Sequence, residues 1–337
     1  MRVTILGAGL VGQAIAYMLS FSPIFEDIVV VDIDEANLKR AKKLCKKAIK
    51  IVRSDVRKDL SVVEGSDIVS CALPGSISFE ICRRILEYGI SIVDSSFYPQ
   101  DPFELNESAR DNNATYIPDA GFAPGLSNIF VGHMVKDIGR AHSVEIYVGG
   151  LPLRPEGPFL HLVNWSLSDF IEEYARPARI IRNSKQVCVD PLEYVQQIEI
   201  EGEKFDAFYT DGLRTLLRTI EAENMFEKTL RYPGHLDRMK FLREIGLLSD
   251  ETICIGETKI RSRDILAQIL RKYVYRPDMK DRVILYMRVR DRRNRRIEEV
   301  LLEDHFDEEL GLSAMAKNTG FTNAILVEAL AEIIKDR

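Results

Sequence analysis

The sequence contains no run near the ~18 consecutive apolar residues that a membrane-spanning helix requires. It also opens directly on a strand pattern, Met1-Arg2-Val3-Thr4-Ile5-Leu6, with no apolar leader or small-residue cleavage site. The expectation is a cytoplasmic chain with no membrane partner. Cysteine is scarce and dispersed: Cys45, Cys71, Cys82, Cys188 and Cys254 form an odd set without metal-ligand spacing, as reduced thiols would. The five histidines include no H-x-x-H pair, so no metal is expected. Positive charge is not in excess, with 46 Lys plus Arg against 52 Asp plus Glu, a net charge of -6. That balance argues against nucleic acid as a partner. The one dense basic stretch, Arg288 to Arg296, lies between two strand-like runs and reads as a solvated hairpin tip or a subunit contact.

What is present is length and an ordinary globular composition. At 337 residues, 46% hydrophobic and 29% charged, the chain is too long for one compact core, and two domains are expected. The first part alternates short apolar runs (3–6, 28–31, 49–52, 67–73, 90–94, 115–117) with helical spacings (12–19, 35–47, 79–88, 102–112), and Asp34 is placed to cap the second helix. Short apolar strands joined by helices require crossovers, hence a doubly wound parallel sheet of the Rossmann type.

Beyond about residue 140 the pattern changes to strand-like segments at 142–148, 187–189, 195–200, 204–209, 283–290 and 296–303, with a helix over 261–273. This predicts an α+β second domain with a mixed or antiparallel sheet. The tail, 313–335, is helical and amphipathic, with a break or kink expected near Gly320. The predicted divisions are 1–123 for a dinucleotide-binding domain, 124–310 for a substrate and dimerisation domain, and 311–337 for a helix returning to the first. A homodimer or higher homo-oligomer is expected from that architecture.

The most specific local signal is Gly7-Ala8-Gly9-Leu10-Val11-Gly12, between the first strand and the first helix. Gly7 permits the tight turn, Gly9 lets backbone approach a pyrophosphate, and Gly12 allows close helix–strand packing. Asp32 ends the second strand about 20 residues later, where a carboxylate accepts both ribose hydroxyls and repels a 2′-phosphate. Ile33 and Asp34 follow it, with no Arg directly after, so the expected cofactor is NAD. Leu73 and Pro74, ending strand four, and Ser95, following strand five, lie on the same carboxyl edge and are assigned to cofactor binding.

Several strings along nearly the whole chain carry a family resemblance: Val93-Asp94-Ser95-Ser96, Asp119-Ala120-Gly121-Phe122-Ala123-Pro124-Gly125, Gly149-Gly150-Leu151-Pro152, Asn164-Trp165-Ser166, Asp211-Gly212-Leu213-Arg214-Thr215-Leu216, Thr229-Leu230-Arg231-Tyr232-Pro233-Gly234-His235 and Ala316-Lys317-Asn318-Thr319-Gly320-Phe321. In combination they resemble the saccharopine dehydrogenase superfamily, most closely its lysine 6-dehydrogenase branch. The resemblance implies oxidation at an amino-bearing carbon, with L-lysine, NAD and water giving the 6-semialdehyde, ammonia and NADH. The stretch Leu160-His161-Leu162-Val163-Asn164 departs from the more polar, lysine-containing segment of many relatives.

The candidate catalytic residues are Asp119, His235 and Tyr98; those for the small amino-acid substrate are Arg231, Trp165, Asn164 and Ser166. Asp119 would hold the substrate amine, or else it fixes its own turn. A guanidinium at Arg231 suits an α-carboxylate, or else a structural ion pair. His235 is a proton shuttle or a helix-start residue; Tyr98 is a proton donor or an aromatic wall. Trp165 would cover the substrate chain or pack in the core, and Asn164 and Ser166 are hydrogen-bond donors by resemblance. Two other readings stay open: a saccharopine dehydrogenase or another carboxyamine dehydrogenase, using Arg214 and Arg218, and a non-catalytic NAD-binding regulator.

Overall fold

The computed structural model describes residues 1–291 and 297–336. The chain divides into two compact units, one of Met1–Asn128 with Asp307–Arg337 and the other of Ile129–Phe306. In the first unit, β1 (Arg2–Leu6), α1 (Leu10–Leu19), β2 (Asp27–Asp32), α2 (Glu35–Leu44), β3 (Lys50–Arg53), β4 (Ile68–Cys71), α3 (Gly75–Glu87), β5 (Ser91–Asp94), α4 (Asn106–Asp111) and β6 (Tyr116–Ile117) alternate in chain order. The six strands are all parallel, in the order β3-β2-β1-β4-β5-β6. Every residue of β4 and β5 is buried, which is why these strands read as unbroken apolar runs rather than as alternation. Asp34 caps α2 as expected, its carboxylate accepting from the Ala36 N–H at 2.7 Å. The helix read over 102–112 is two pieces, a 3₁₀ turn at Pro102–Leu105 followed by α4.

The division between the units falls within α5 (Leu126–Val135). The second unit then contributes β7 (Ala141–Pro152), α6 (Leu167–Ala175), β8 (Ala178–Arg182), β9 (Lys185–Val189), β10 (Gln196–Ile200), β11 (Glu203–Tyr209), α7 (Leu216–Thr219), β12 (Ala222–Arg231), α8 (His235–Glu244), β13 (Thr252–Ile255), β14 (Thr258–Arg261), α9 (Ser262–Tyr273), β15 (Asp281–Asp291) and β16 (Ile297–His305). Its main sheet has eight strands on the path β10-β11-β12-β7-β15-β16, with β8 joining β12 and β9 joining β8. Only β7 and β12 pair in parallel, so the sheet is mixed. Helices α6, α8 and α9 bury Phe170, Tyr174, Met239, Leu266 and Leu270 around Phe208 of β11.

Four strands escape the sequence pattern: β8, β12, β13 and β14. The central strand β12 carries Glu223, Glu227 and Lys228 among its apolar residues, and β8 is short, with Arg179 and Arg182 among its five residues. The hairpin of β15 and β16 forms as expected. Of the basic stretch Arg288 to Arg296, residues 288–291 belong to β15, where Arg288 pairs with Glu299 at 2.6 Å, and residues 292–296 lie outside the described residues.

The chain returns to the first unit for α10 (Ala314–Lys335), which is continuous through Gly320. The expected break is absent for a packing reason. A Cβ at Gly320 would lie 2.6 Å from Ala14 Cβ and 2.9 Å from Val11 O, so this glycine lets α10 approach α1. Ala324, Val327, Leu330 and Ala331 join Ile15, Ala16 and Leu19 in that core. No helix among the described residues is long and apolar enough to cross a membrane.

Candidate functional site

In the first unit the strand order reverses at β1, and the glycine turn leaves that strand at its carboxyl end. Gly7 has φ +94°, a region that side chains with a Cβ rarely enter. Gly12 faces the Gly7 carbonyl so closely that a Cβ would sit 1.9 Å from it. Gly9 caps α1, and nothing lies within 4 Å of where its Cβ would be. Leu10 and Val11 form the first turn of α1, whose N–H groups are available to an anion.

Asp32 closes this cradle: one carboxylate oxygen accepts from Ala8 N–H at 2.6 Å and the other from Asp34 N–H at 2.7 Å. The same group therefore holds the glycine loop and presents its remaining lone pairs at the end of β2. Opposite it in register stands Arg53 of β3, whose guanidinium donates to the Ile33 carbonyl at 3.1 Å. The open space at Gly9, the turn at Gly7 and the acid at Asp32 fit a dinucleotide.

Leu73 and Pro74 link β4 to α3, and the Ser95 hydroxyl donates to the Cys71 carbonyl at 3.0 Å. Beside them, Asp94 is wholly buried and accepts from Ser96 N–H at 2.9 Å, Tyr116 Oη at 3.2 Å, Ser78 Oγ at 3.3 Å and Cys82 Sγ at 3.4 Å. Burial pushes its carboxyl above the usual range. Cys71, Cys82 and Asp94 place their donor atoms within 4.8 Å of one another, a grouping that residue spacing in the chain does not announce. Burial also drives the Cys82 thiol well above its ordinary value. These groups satisfy one another as a hydrogen-bonded knot beneath the loop after β5. Tyr98 belongs to that knot: its ring is buried, with its hydroxyl bonded to Tyr116 and its edge against Phe79. This placement suits a residue that positions the loop rather than a proton donor. Asp119, also in this unit, is 6% exposed and has φ +53°, a strained conformation for a residue with a side chain.

The second unit brings together Arg231, His235, Tyr174, Glu173 and His161. Arg231 ends β12 and is 2% exposed. It donates from Nε to Tyr174 Oη at 3.0 Å, from Nη1 to Leu230 O at 2.9 Å, and from Nη2 to Glu173. His235 contacts the Phe159 carbonyl through Nδ1 at 2.6 Å and Tyr174 Oη through Nε2 at 2.8 Å. A carbonyl only accepts, so Nδ1 carries the proton and Nε2 accepts from the Tyr174 hydroxyl, which in turn accepts from Arg231. Burial, reinforced by Arg231, lowers the His235 pKa to about 3. His235 opens α8, as the helix-start alternative has it, and both of its ring nitrogens are engaged in these bonds. Arg231 is likewise engaged, in the ion pair with Glu173 that the alternative reading allowed. Trp165 is 37% exposed, edge-on to Phe170, while Ser166 caps α6 by accepting from Asp169 N–H at 3.3 Å. Arg179 grips Asp211 with two parallel 2.8 Å bonds, so that acid is structural.

Two family models cover almost all of this chain. The saccharopine dehydrogenase NADP binding domain matches residues 3–117, and the saccharopine dehydrogenase C-terminal domain matches residues 121–337. The chain belongs to the saccharopine dehydrogenase family. The mitochondrial alpha-aminoadipic semialdehyde synthase of Rattus norvegicus is 25% identical over 272 residues, which are 74% of this chain and 29% of that protein. Saccharopine dehydrogenase [NADP(+), L-glutamate-forming] of Saccharomyces cerevisiae is 23% identical over 287 residues, 80% of this chain and 63% of that one. The chain thus spans less than two thirds of these relatives. The solved apo structure of the L-Glu-forming saccharopine dehydrogenase from Saccharomyces cerevisiae matches with a TM-score of 0.76 at 19% identity, covering 98% of this chain and 91% of that one, which fixes the fold.

Within this saccharopine dehydrogenase frame, sequence reading missed Glu173, Tyr174 and His161. Glu173 and Tyr174 sit in an amphipathic helix without a motif of their own. The available signal for His161 was a histidine in an apolar run, three residues before Asn164.

Proposed function

We propose that this chain is an NAD-dependent oxidoreductase that removes the side-chain amine of an amino acid, L-lysine first among them. The observation that supports it most is the glycine cradle closed by the Asp32 carboxylate. The balanced reaction takes the lysine ammonium, NAD⁺ and water to 2-aminoadipate 6-semialdehyde, ammonium, NADH and one proton. The bound nicotinamide supplies the hydride acceptor. The chain's residues would supply the rest: the first turn of α1 would hold the pyrophosphate, Asp32 would hold the ribose hydroxyls, and Asp119 would take the proton of the substrate amine. Tyr98 and Asp94 fix the loop after β5, which keeps Ser95 at the cofactor edge.

A second reading, NADP with a saccharopine-type substrate, is favoured by Arg53 opposite Asp32 and by the printed names of the relatives. Incubation with L-lysine and either NAD or NADP, following absorbance of the reduced nicotinamide, separates the two. The expected result is reduction of NAD without added glutamate, lowered at least a hundredfold in Asp119→Asn. Reduction of NADP alone, or turnover only with a carboxyamine, would establish the second reading instead.

A further inference from the structure

The knot beneath the loop after β5 gathers metal-binding side chains from three separate elements, so no spacing in the chain announces them. Cys71 ends β4, Ser78 and Cys82 lie one turn apart on α3, and Asp94 ends β5; all four are 0% exposed. Cys71 Sγ and Cys82 Sγ are 3.7 Å apart, and Cys82 Sγ stands 3.4 Å from Asp94 Oδ2. Ser78 Oγ lies 3.7 Å from Cys82 Sγ and 3.3 Å from Asp94 Oδ2. A tetrahedral ion with sulfur ligands at ~2.3 Å and oxygen ligands at ~2.0 Å has predictable edges. They are about 3.8 Å between two sulfurs, about 3.5 Å between sulfur and oxygen and about 3.3 Å between two oxygens. The four separations fall within about 0.2 Å of those edges. As hydrogen bonds the hydroxyl contacts are poor. An O–H donor normally approaches an oxygen to about 2.7 Å, yet Ser78 Oγ stays 3.3 Å from both oxygens of Asp94 and Tyr116 Oη 3.2 Å from Oδ2. The Ser96 N–H, 2.9 Å from Oδ1, is of ordinary length, so Oδ2 is the oxygen left with bonding capacity. A divalent ion would also balance the charge of two thiolates and a carboxylate that burial otherwise keeps protonated.

We infer that Cys71 Sγ, Cys82 Sγ, Asp94 Oδ2 and Ser78 Oγ form a closed site for a divalent ion of the zinc class. Two sulfur ligands favour zinc over magnesium or calcium, and four protein ligands leave no open position for catalysis. Binding exchanges the two thiol protons and the carboxyl proton for the ion, and the Ser96 N–H and Tyr116 hydroxyl support the residual negative charge. The ion cross-links β4, α3 and β5 at the roots of the loops that carry Leu73, Pro74 and Ser95. The site is independent of which substrate or dinucleotide the protein takes.

The test uses the intact protein produced in medium supplemented with zinc or, separately, with cobalt, because a fully buried site fills as the chain folds. After dialysis against a chelator, metal content is measured for wild type, Cys71→Val, Cys82→Val and Asp94→Asn. A variant lacking the two exposed thiols, Cys188→Ser with Cys254→Ser, is the control. The expected result is about one zinc per chain in wild type and control, and less than a tenth of that in each site variant. The cobalt-grown wild type should show a sulfur-to-cobalt charge-transfer band that Cys82→Val weakens or loses. A wild type that retains no zinc would overturn the inference, as would zinc retained equally by Cys71→Val and Cys82→Val, or bound cobalt without the charge-transfer band. A Cys71–Cys82 disulfide in place of the metal, read as two fewer titratable thiols than five after denaturation, would overturn it as well. If one valine variant fails to fold, judged by its circular dichroism and Tm, the other and the wild-type cobalt spectrum still decide.

Discussion

Acidification should destabilise this protein through two buried neutral histidines. His235 is fully buried, and its folded pKa of about 3 compares with ~6.5 in an unfolded chain. Above pH ~6.5 both states are neutral at this residue and its contribution to stability is fully present. As the pH falls, the unfolded chain takes up a proton that the folded one refuses, so stability is lost continuously toward pH 3. Each unit of pH in that window costs about 1.4 kcal/mol, and moving from pH 7.5 to 5.0 removes about 2 kcal/mol on account of His235 alone. His161 shifts in the same direction for the same causes and adds to the slope. Urea unfolding followed by Trp165 fluorescence at the two pH values measures this. His235→Asn retains a donor for the Phe159 carbonyl but does not titrate. Its absolute stability should be lower, yet its loss between pH 7.5 and 5.0 should be smaller than that of wild type by about 2 kcal/mol. Equal losses in wild type and variant would refute the assignment of a neutral, doubly hydrogen-bonded ring.

Gly320→Ala pits two rules against each other: helix propensity alone predicts a gain of about 1 kcal/mol. The 2.6 Å approach to Ala14 predicts instead a loss of about 1–3 kcal/mol from overpacking, read from the thermal midpoint. Thiol titration of the native protein should modify Cys188 and Cys254, which are exposed, while Cys71 and Cys82 react only after denaturation. Cys45, half-buried with its thiol pushed up to about 11, should lag far behind the exposed pair, and comparable rates would contradict that environment.

The fold of the first unit was legible because its signals are local. A glycine turn after β1, an acid ending β2 and unbroken apolar strands follow from residues within a few positions of each other. The second unit was less so. The central strand β12 owes its place to pairing with β7, β8 and β11, and its polar residues are tolerated because partners lie far along the chain: Lys228 meets Gln196 at 2.8 Å, and Thr229 meets Thr210 at 2.9 Å. Gly320 shows the same limit. Glycine inside a helix pattern has two opposite meanings, a break or a close approach, and only the position of α1 decides between them.

The candidate site divides along a similar line. Cofactor residues act largely through backbone geometry, which a glycine or a terminal acid announces. Side-chain roles depend on what each polar atom has already been spent on. Arg231 and His235 carry the residue types expected of a clamp and a shuttle, but Glu173, Tyr174 and the Phe159 carbonyl consume them. Once those bonds are counted, His161 Nδ1 and Asn164 Nδ2 stand among the buried polar atoms of this unit without a hydrogen-bond partner, in a segment that looks apolar as a sequence. Arg231, His235 and Tyr174 instead form one buried hydrogen-bonded cluster with Glu173, whose carboxylate is paired with the guanidinium.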